Sequence, residues 1–304
     1  MLASGKRSTL VVVSGTDSKQ DSIAGPRSPS FPSKELEHIK IASMQRELRN
    51  RVAVVTGGSY GIGKAIAVLL ATQGAKVFVG DFKLSASNDD EFSKLGISQA
   101  LCDVRDSASV QKWIDSIFVQ TLGIDILVNN AGIVLVKQIP ETTEQEWDAV
   151  LDTNFKSAFL LSRLVIPSMK ARGGGSIVNI ASNAGLLPRA HDPAYSTSKG
   201  ALISFTRSLA LCHADDRIRV NAVCPGPVAE TQIINQSLEQ ATDRQALARQ
   251  IIEASPLARA CGRMITPEEV AHAVFYLVSD AAMMVTGTSI AIDGGKSLGV
   301  PPAR

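Results

Sequence analysis

The stretch Val52-Ala53-Val54-Val55-Thr56-Gly57-Gly58-Ser59-Tyr60-Gly61-Ile62-Gly63 decides the fold. Its first five residues form a short, continuous apolar run of largely β-branched type, which suits a strand buried on both faces. A glycine cluster then breaks the run, and Lys64 to Gln73 resumes with helical content. Glycines between a buried strand and a helix allow a tight turn and close backbone approach. The helix N-terminus behind them supplies free N–H groups and a partial positive charge. That combination suits a phosphate.

Outward from this stretch the chain alternates. Lys76–Gly80 reads as a second strand, followed by a helix near Ser107–Val119 and a strand at Ile124–Val128. A helix over Thr143–Met169, a strand at Ser176–Ile180 and a helix over Ala194–Ala214 come next. Strand Ile218–Val223, helix Pro267–Val278 and strand Ser289–Ile292 complete the series. Strand–helix alternation without hairpin signals predicts an α/β fold: a Rossmann-like, doubly wound, parallel seven-stranded sheet with helices on both faces. Seven strands over about 250 residues fit a single domain, here 49–298, with 299–304 as a C-terminal tail. There are no internal repeats.

The first 48 residues differ. They carry nine serines and Pro26, Pro29 and Pro32, with no sustained periodicity. Such a leader buries too little apolar surface to offset its ordering entropy, so residues 1–48 read as disordered or targeting-like. Lys6, Arg7, Lys19 and Arg27 favour an organelle transit peptide, whereas Asp17 and Asp21 oppose it, and no secretory apolar core is present. Met44 is an alternative working start. The expected location is the cytoplasm, with organelle targeting by the leader as the other reading.

Composition sets outer bounds. Of 304 residues 45% are hydrophobic, and the formal net charge is +2. So small a charge gives no argument for nucleic acid, and no apolar run approaches the ~18–20 residues of a membrane span. Cys102, Cys212, Cys224 and Cys261 form no CxxC pair and no zinc-ligand cluster with the scattered histidines. They read as reduced, buried, small apolar residues, and no metal is expected.

Asp81 ends the second strand, 18 residues past Gly63. A carboxylate there accepts hydrogen bonds from an adenosine ribose diol and repels a 2′-phosphate. Position 60 is Tyr and position 82 is Phe, leaving Lys83 as the nearby cation. NAD(H) is therefore favoured, with NADP(H) as the alternative.

Gly57-x-x-x-Gly61-x-Gly63 departs from the GxGxxG dehydrogenase fingerprint. Together with Asn129-Asn130-Ala131-Gly132, Tyr195-Ser196-Thr197-Ser198-Lys199 and Asn221-Ala222-Val223-Cys224-Pro225-Gly226, it resembles the classical short-chain dehydrogenase/reductase family. The resemblance spans Arg51 to Leu298 and includes Asp103-Val104, Asn154, Ser182 and Asp293-Gly294-Gly295. Tyr-x-x-x-Lys alone would carry little, since Tyr60 to Lys64 matches it as well. Context separates the two: Tyr195 opens a helix 13 residues after Ser182.

An i, i+4 spacing sets Tyr195 and Lys199 on one helix face, and a cation near a phenol lowers its pKa from ~10. Tyr195 would then take or give the alcohol proton as general acid/base while hydride moves between substrate and nicotinamide. The resemblance implies that Ser182 bonds the substrate oxygen, that Lys199 binds the nicotinamide ribose, and that Asn154 holds a water for relay to Lys199. Read singly, Ser182 is equally a loop cap, Asn154 a helix-interior group and Tyr195 a core aromatic.

The expected cofactor contacts are Gly57, Ser59, Tyr60, Gly61, Ile62, Gly63, Asp81, Asp103, Val104, Asn130, Ala131, Gly132, Tyr195, Lys199, Pro225, Gly226, Val228 and Thr231. Thr231 stands one position later than the family pattern Pro-Gly-x-x-x-Thr puts it, so either an extra loop residue or Glu230 in its place is expected.

Val134, Asn183, Arg189 and His191, with Ser182 and Tyr195, are the substrate-side candidates, and Glu230–Ser255 is a polar, helix-forming lid. The implied reaction interconverts a secondary alcohol and a ketone, the substrate being a cyclic alcohol, a polyol or sugar, or a 3-oxoacyl compound. The small-molecule substrate and the cofactor are the expected partners, with no nucleic acid or membrane, and the resemblance implies a homotetramer or homodimer. A catalytically idle nucleotide-binding scaffold or sensor is the competing reading.

Overall fold

The computed structural model describes residues 47–187 and 189–299. The readings given to the leader, to Met44 and to the tail concern residues outside these, apart from Glu47, Leu48 and Gly299. Leu48 is buried, and its N–H donates to Gln73 O at 3.0 Å.

Seven parallel strands form one sheet in the order β3-β2-β1-β4-β5-β6-β7. They are β1 (Val52–Thr56), β2 (Lys76–Asp81), β3 (Ser98–Leu101), β4 (Ile126–Asn129), β5 (Gly175–Ile180), β6 (Ile218–Pro225) and β7 (Ser289–Ile292). The doubly wound sheet expected from the alternation is the one observed. β1 alternates strictly: Ala53 and Val55 face one helical layer, Val52 and Val54 the other. Helices α1 (Gly61–Thr72), α2 (Asp89–Leu95) and α3 (Ser107–Gln120) precede β4. Ile66 and Leu70 of α1 pack on the first layer, Trp113 and Ile117 of α3 on the second. Each such side chain, fully buried, contributes about 1.5–3 kcal/mol against the chain entropy.

β3 is the strand that no apolar run announced. It sits at the sheet edge, reads Ser-Gln-Ala-Leu, and both its end residues are exposed. An edge strand has one flank and much of its faces in water, so it needs no hydrophobic run.

The helix expected over Thr143–Met169 is three pieces. A capping box between Thr143 and Glu146 starts α4 (Glu144–Leu151). A π-helical turn follows at Asp152–Lys156, then α5 (Ser157–Ala171). Single π turns inside helices mark functional positions, and this one carries Asn154. The remaining helices are α6 (Pro193–Cys212), α7 (Gln232–Gln240), α8 (Arg244–Glu253), α9 (Pro256–Cys261) and α10 (Pro267–Val278). All four cysteines are free, but burial holds only for Cys102 and Cys224; Cys212 and Cys261, at helix C-termini, are exposed. Among the described residues no helix is long and apolar enough to cross a membrane.

At the end of the sheet opposite the strand C-termini, Asp125 ties three elements together. Its carboxylate is 4% exposed, accepts Val52 N–H at 2.7 Å and pairs with Arg172, with Arg172 Nε to Oδ1 at 2.9 Å. Arg51 stands further off at 3.9 Å. Removing Arg172 leaves a buried carboxylate with one distant, half-exposed cation. Arg172→Met is expected to lower unfolding free energy by about 2–3 kcal/mol, just below the usual range for a broken buried pair. Urea denaturation measures it, and a loss under about 1 kcal/mol would contradict the role given to Asp125.

Candidate active site

A crevice opens where the strand order reverses, between the C-terminal ends of β1 and β4. Its cavity is about 780 Å³. Thr56 and Asn130 hold it open. Thr56 Oγ1 accepts the N–H groups of Asn130 and Ala131, both at 3.0 Å, and Asn130 Nδ2 donates to Thr56 O and Gly57 O, both at 2.9 Å.

The glycine loop enters from one wall. A Cβ on Gly63 would lie 2.1 Å from Gly57 O, so only glycine seats α1 against the turn. No side chain caps α1 and no acid occupies its first turn. Its leading N–H groups are therefore left to a ligand or to water, which fits a pyrophosphate. Every expected cofactor contact lines the cavity except Ser59. Ser59 is buried behind the loop, where its N–H donates to Asp81 Oδ2 at 3.0 Å and its carbonyl accepts from Asn88. It orients the acid instead of facing the cavity.

Asp81 keeps a half-buried place at the β2 end. Lys83 is not the one cation near it. Arg105 also lines the cavity, lies 5.4 Å over the Phe82 ring, and is held by Asp103 with Nη2 to Oδ2 at 2.7 Å. That hydrogen bond keeps the Asp103 carboxyl below its ordinary range. Sequence reading missed Arg105 because nothing local links position 105 to position 82.

At the inner end Ser182, Tyr195 and Lys199 line one wall. Ser182 follows β5, and its Oγ accepts Ala184 N–H at 3.1 Å, so the loop-cap reading and a cavity-facing hydroxyl hold together. Tyr195 and Lys199 lie one turn apart on α6, with Lys199 Nζ 5.9 Å from the Tyr195 ring centre. The expected lowering of the phenol is not what the structure gives. Burial pushes Tyr195 up, and the nearby Ser182 hydroxyl only partly offsets this. Lys199 itself is pushed down to about 8 by burial, and its Nζ donates to Ile180 O at 2.9 Å.

Asn154 does not line the cavity. Its Oδ1 accepts Ile133 N–H at 2.8 Å, while Nδ2 donates to Ile133 O at 2.9 Å and Ser198 Oγ at 3.0 Å. A Cβ on Gly132 would lie 3.2 Å from both Asn154 Oδ1 and Lys199 Nζ, so Asn154 stands just behind the lysine.

Val134, Asn183 and Arg189 line the cavity, whereas His191 is exposed and points elsewhere. Thr231 reaches the cavity although it comes late in the sequence. Glu230 takes a left-handed backbone with φ 57, which absorbs the extra residue. The Thr231 hydroxyl caps α7, accepting Ile234 N–H at 3.4 Å. Residues of α7 and α8, including Ile234, Leu247 and Ile251, line the crevice. Asp192 and Lys296 complete the wall and were not foreseen. The Asp293-Gly294-Gly295 motif just before Lys296 was the available signal.

Lys199 makes a pH test possible. Unfolded lysine binds its proton up to ~10.4, whereas folded Lys199 releases it near 8. Between those values the unfolded chain holds more protons, so the stability contributed by the neutral amine grows as pH rises. Stability of the native protein is expected to increase from pH 8 to pH 10 relative to Lys199→Met. Denaturant titrations at both pH values check this; a difference that stays flat or falls would refute it.

The family model described as Enoyl-(Acyl carrier protein) reductase matches residues 57–297. An uncharacterized oxidoreductase of Thermotoga maritima is 38% identical over 251 residues, covering 82% of this chain and 98% of that one. An NAD-dependent glycerol dehydrogenase of Listeria innocua is 35% identical, covering 83% and 95%. The crystal structure of a short-chain dehydrogenase/reductase from Burkholderia xenovorans superposes with a TM-score of 0.77 at 33% identity, covering 84% of this chain and 99% of that one.

Proposed function

This chain belongs to the classical short-chain dehydrogenase/reductase family of oxidoreductases, which use NAD(P)(H), and we propose that it interconverts a secondary alcohol and a ketone with Tyr195 as general acid/base. One observation carries the reading. A phenol buried in the crevice wall shares that wall with a serine hydroxyl near enough to influence it and has an amine one helical turn away, in the same cavity as the loop that suits a pyrophosphate. The bound nicotinamide would supply or accept the hydride.

The side chains divide the remaining work. Ser182 donates to the substrate oxygen and stabilises charge developing there. Tyr195 moves the proton between that oxygen and the protein. Lys199, still mostly protonated near neutral pH, favours phenolate and opposes the burial that holds the proton on Tyr195. Asn154 keeps the Ile133 backbone and Ser198 in place behind Lys199, a position from which a water could connect to the amine.

Because burial holds Tyr195 protonated, ketone reduction is expected to proceed at neutral pH and alcohol oxidation to climb as pH rises. Tyr195→Phe is expected to lower kcat/KM by about 10²–10⁴-fold in both directions while leaving NADH binding intact. Steady-state rates over an alcohol and ketone panel, with NADH fluorescence titration, measure both. NADH binding with no turnover on any compound would instead favour the idle nucleotide-binding reading.

Asp81 supports NAD(H) over NADP(H). Ser59 and Lys83 N–H groups hold its carboxylate at the end of β2, leaving oxygen lone pairs toward the cavity. A 2′-phosphate there would meet that charge, whereas Arg105 is already committed to Asp103. At about 4 Å near a surface such repulsion is about 4 kcal/mol before screening, enough for at least a tenfold preference. Native protein is expected to favour NAD by tenfold or more in kcat/KM, and Asp81→Asn to narrow that ratio by about tenfold. A native preference for NADP would overturn the assignment.

A further inference from the structure

Lys296 has no place in the proton chemistry above, yet the fold presents it to the same cavity. It follows Asp293, which is 3% exposed and whose two carboxylate oxygens accept Gly295 N–H at 2.9 Å and Ser297 N–H at 2.7 Å. Gly294 and Gly295 both take left-handed backbone, with φ 63 and 84. The turn that carries Lys296 is thus held at both ends, and the carboxylate that holds it is committed to backbone donors. Lys296 Nζ has no hydrogen-bond or ion-pair partner among the described residues. Burial pulls the amine down from its ordinary value and the Arg189 charge adds to the effect, while the Asp293 and Asp192 carboxylates oppose it.

Arg189, in the loop before α6, lines the same cavity. Its guanidinium pairs with the buried Asp192 carboxylate at 3.0 Å, and its field reaches both Tyr195 and Lys296. Arg189 and Lys296 thus lie within reach of each other's field, with the buried Asp192 carboxylate acting on both. The neighbouring wall, made by Val134, Val136, Ile233 and Ile251, is apolar. A half-buried lysine whose ammonium has no hydrogen-bond partner among the described residues, on a turn fixed by a buried carboxylate, is left to donate to a ligand in the cavity.

We infer that Lys296 and Arg189 form an anion subsite at the substrate end of the crevice, so that the alcohol or ketone taken carries a carboxylate or similar anionic group on an aliphatic body. This inference rests on the assignment of Tyr195 to proton transfer. Neutral polyols and cyclic alcohols leave Lys296 unpaired and are the poorer substrates.

The test separates the two. Calorimetric titration of protein saturated with NAD⁺, which has no hydride to give a ketone, compares acetoacetate with its neutral methyl ester. The anion is expected to bind at least about tenfold tighter, the usual yield of a charge-assisted hydrogen bond. Lys296→Met should remove most of that preference while leaving the ester's affinity unchanged, and Lys296→Arg should restore it. Equal affinities in native protein, or a Lys296→Met that weakens both compounds alike, would overturn the subsite. Tyr195→Phe serves as the second arm: it should abolish turnover and keep the preference for the anion. Absence of turnover in native protein with the preference intact would strike the proton-transfer reading and leave the anion subsite standing.

Discussion

One hydroxyl determines whether the crevice exists. Thr56, the last residue of β1, accepts two backbone N–H groups from the start of the β4 loop, and Asn130 answers by bonding two carbonyls of the β1 loop. These contacts fix where two loops part at the reversal of strand order. Every other feature hangs on that separation. Gly63 can approach Gly57 only because the loop is held there, and Gly132 can pass beside Lys199 only because Asn130 is anchored two residues before it. A buried backbone group left without such a partner would cost about as much as a lost hydrogen bond. The stitching is thus both structural and formative of the site.

The inner end of the crevice resolves a conflict between burial and charge. Tyr195 is 8% exposed and Lys199 4%. Burial favours the neutral form of each, pushing the phenol up and the amine down. A simple pairing argument from i, i+4 spacing counts only attraction and so expects a lowered phenol. What the fold adds is a carbonyl, Ile180 O, that accepts from the amine and draws Nζ along the wall. The π turn at Asp152–Lys156 then brings Asn154 behind it, with both amide hydrogens and one oxygen lone pair engaged by Ile133 and Ser198. A regular helix through this segment would rotate Asn154 away from that position, so the irregular turn belongs to the site's construction.

What could be read without coordinates was what the chain encodes locally. The buried run ending at Thr56, the glycines after it, Asp81 at the next strand end and the Tyr195–Lys199 spacing each depend on neighbours a few residues away. Such signals survive in one dimension. The edge strand Ser98–Leu101 escaped because its partners are in space and its exposed ends need no apolar residues. Arg105 beside Phe82, Asp192 beneath Arg189 and Lys296 across the crevice escaped for the same reason. His191 shows the converse error: it lies two residues from Arg189, yet is exposed and outside the cavity. Proximity along a loop carries no direction.

The overall charge of +2 conceals an ordered separation of charge along the crevice. One end sets Asp81 and Asp103 beside Lys83 and Arg105, so its charges balance. The other end gathers Lys199, Arg189 and Lys296 against Asp192. A balanced end and a cationic end of one crevice act on a ligand's orientation as well as on its affinity, since low-dielectric walls focus the field. A molecule that offers hydroxyls to Asp81 and negative charge to the cationic end is stabilised in one direction and opposed in the other. Summed over the chain these groups nearly cancel, which is why composition was silent about them. Their placement by β2, the turn after β7 and the loop before α6 is what turns a near-neutral protein into a polarised site.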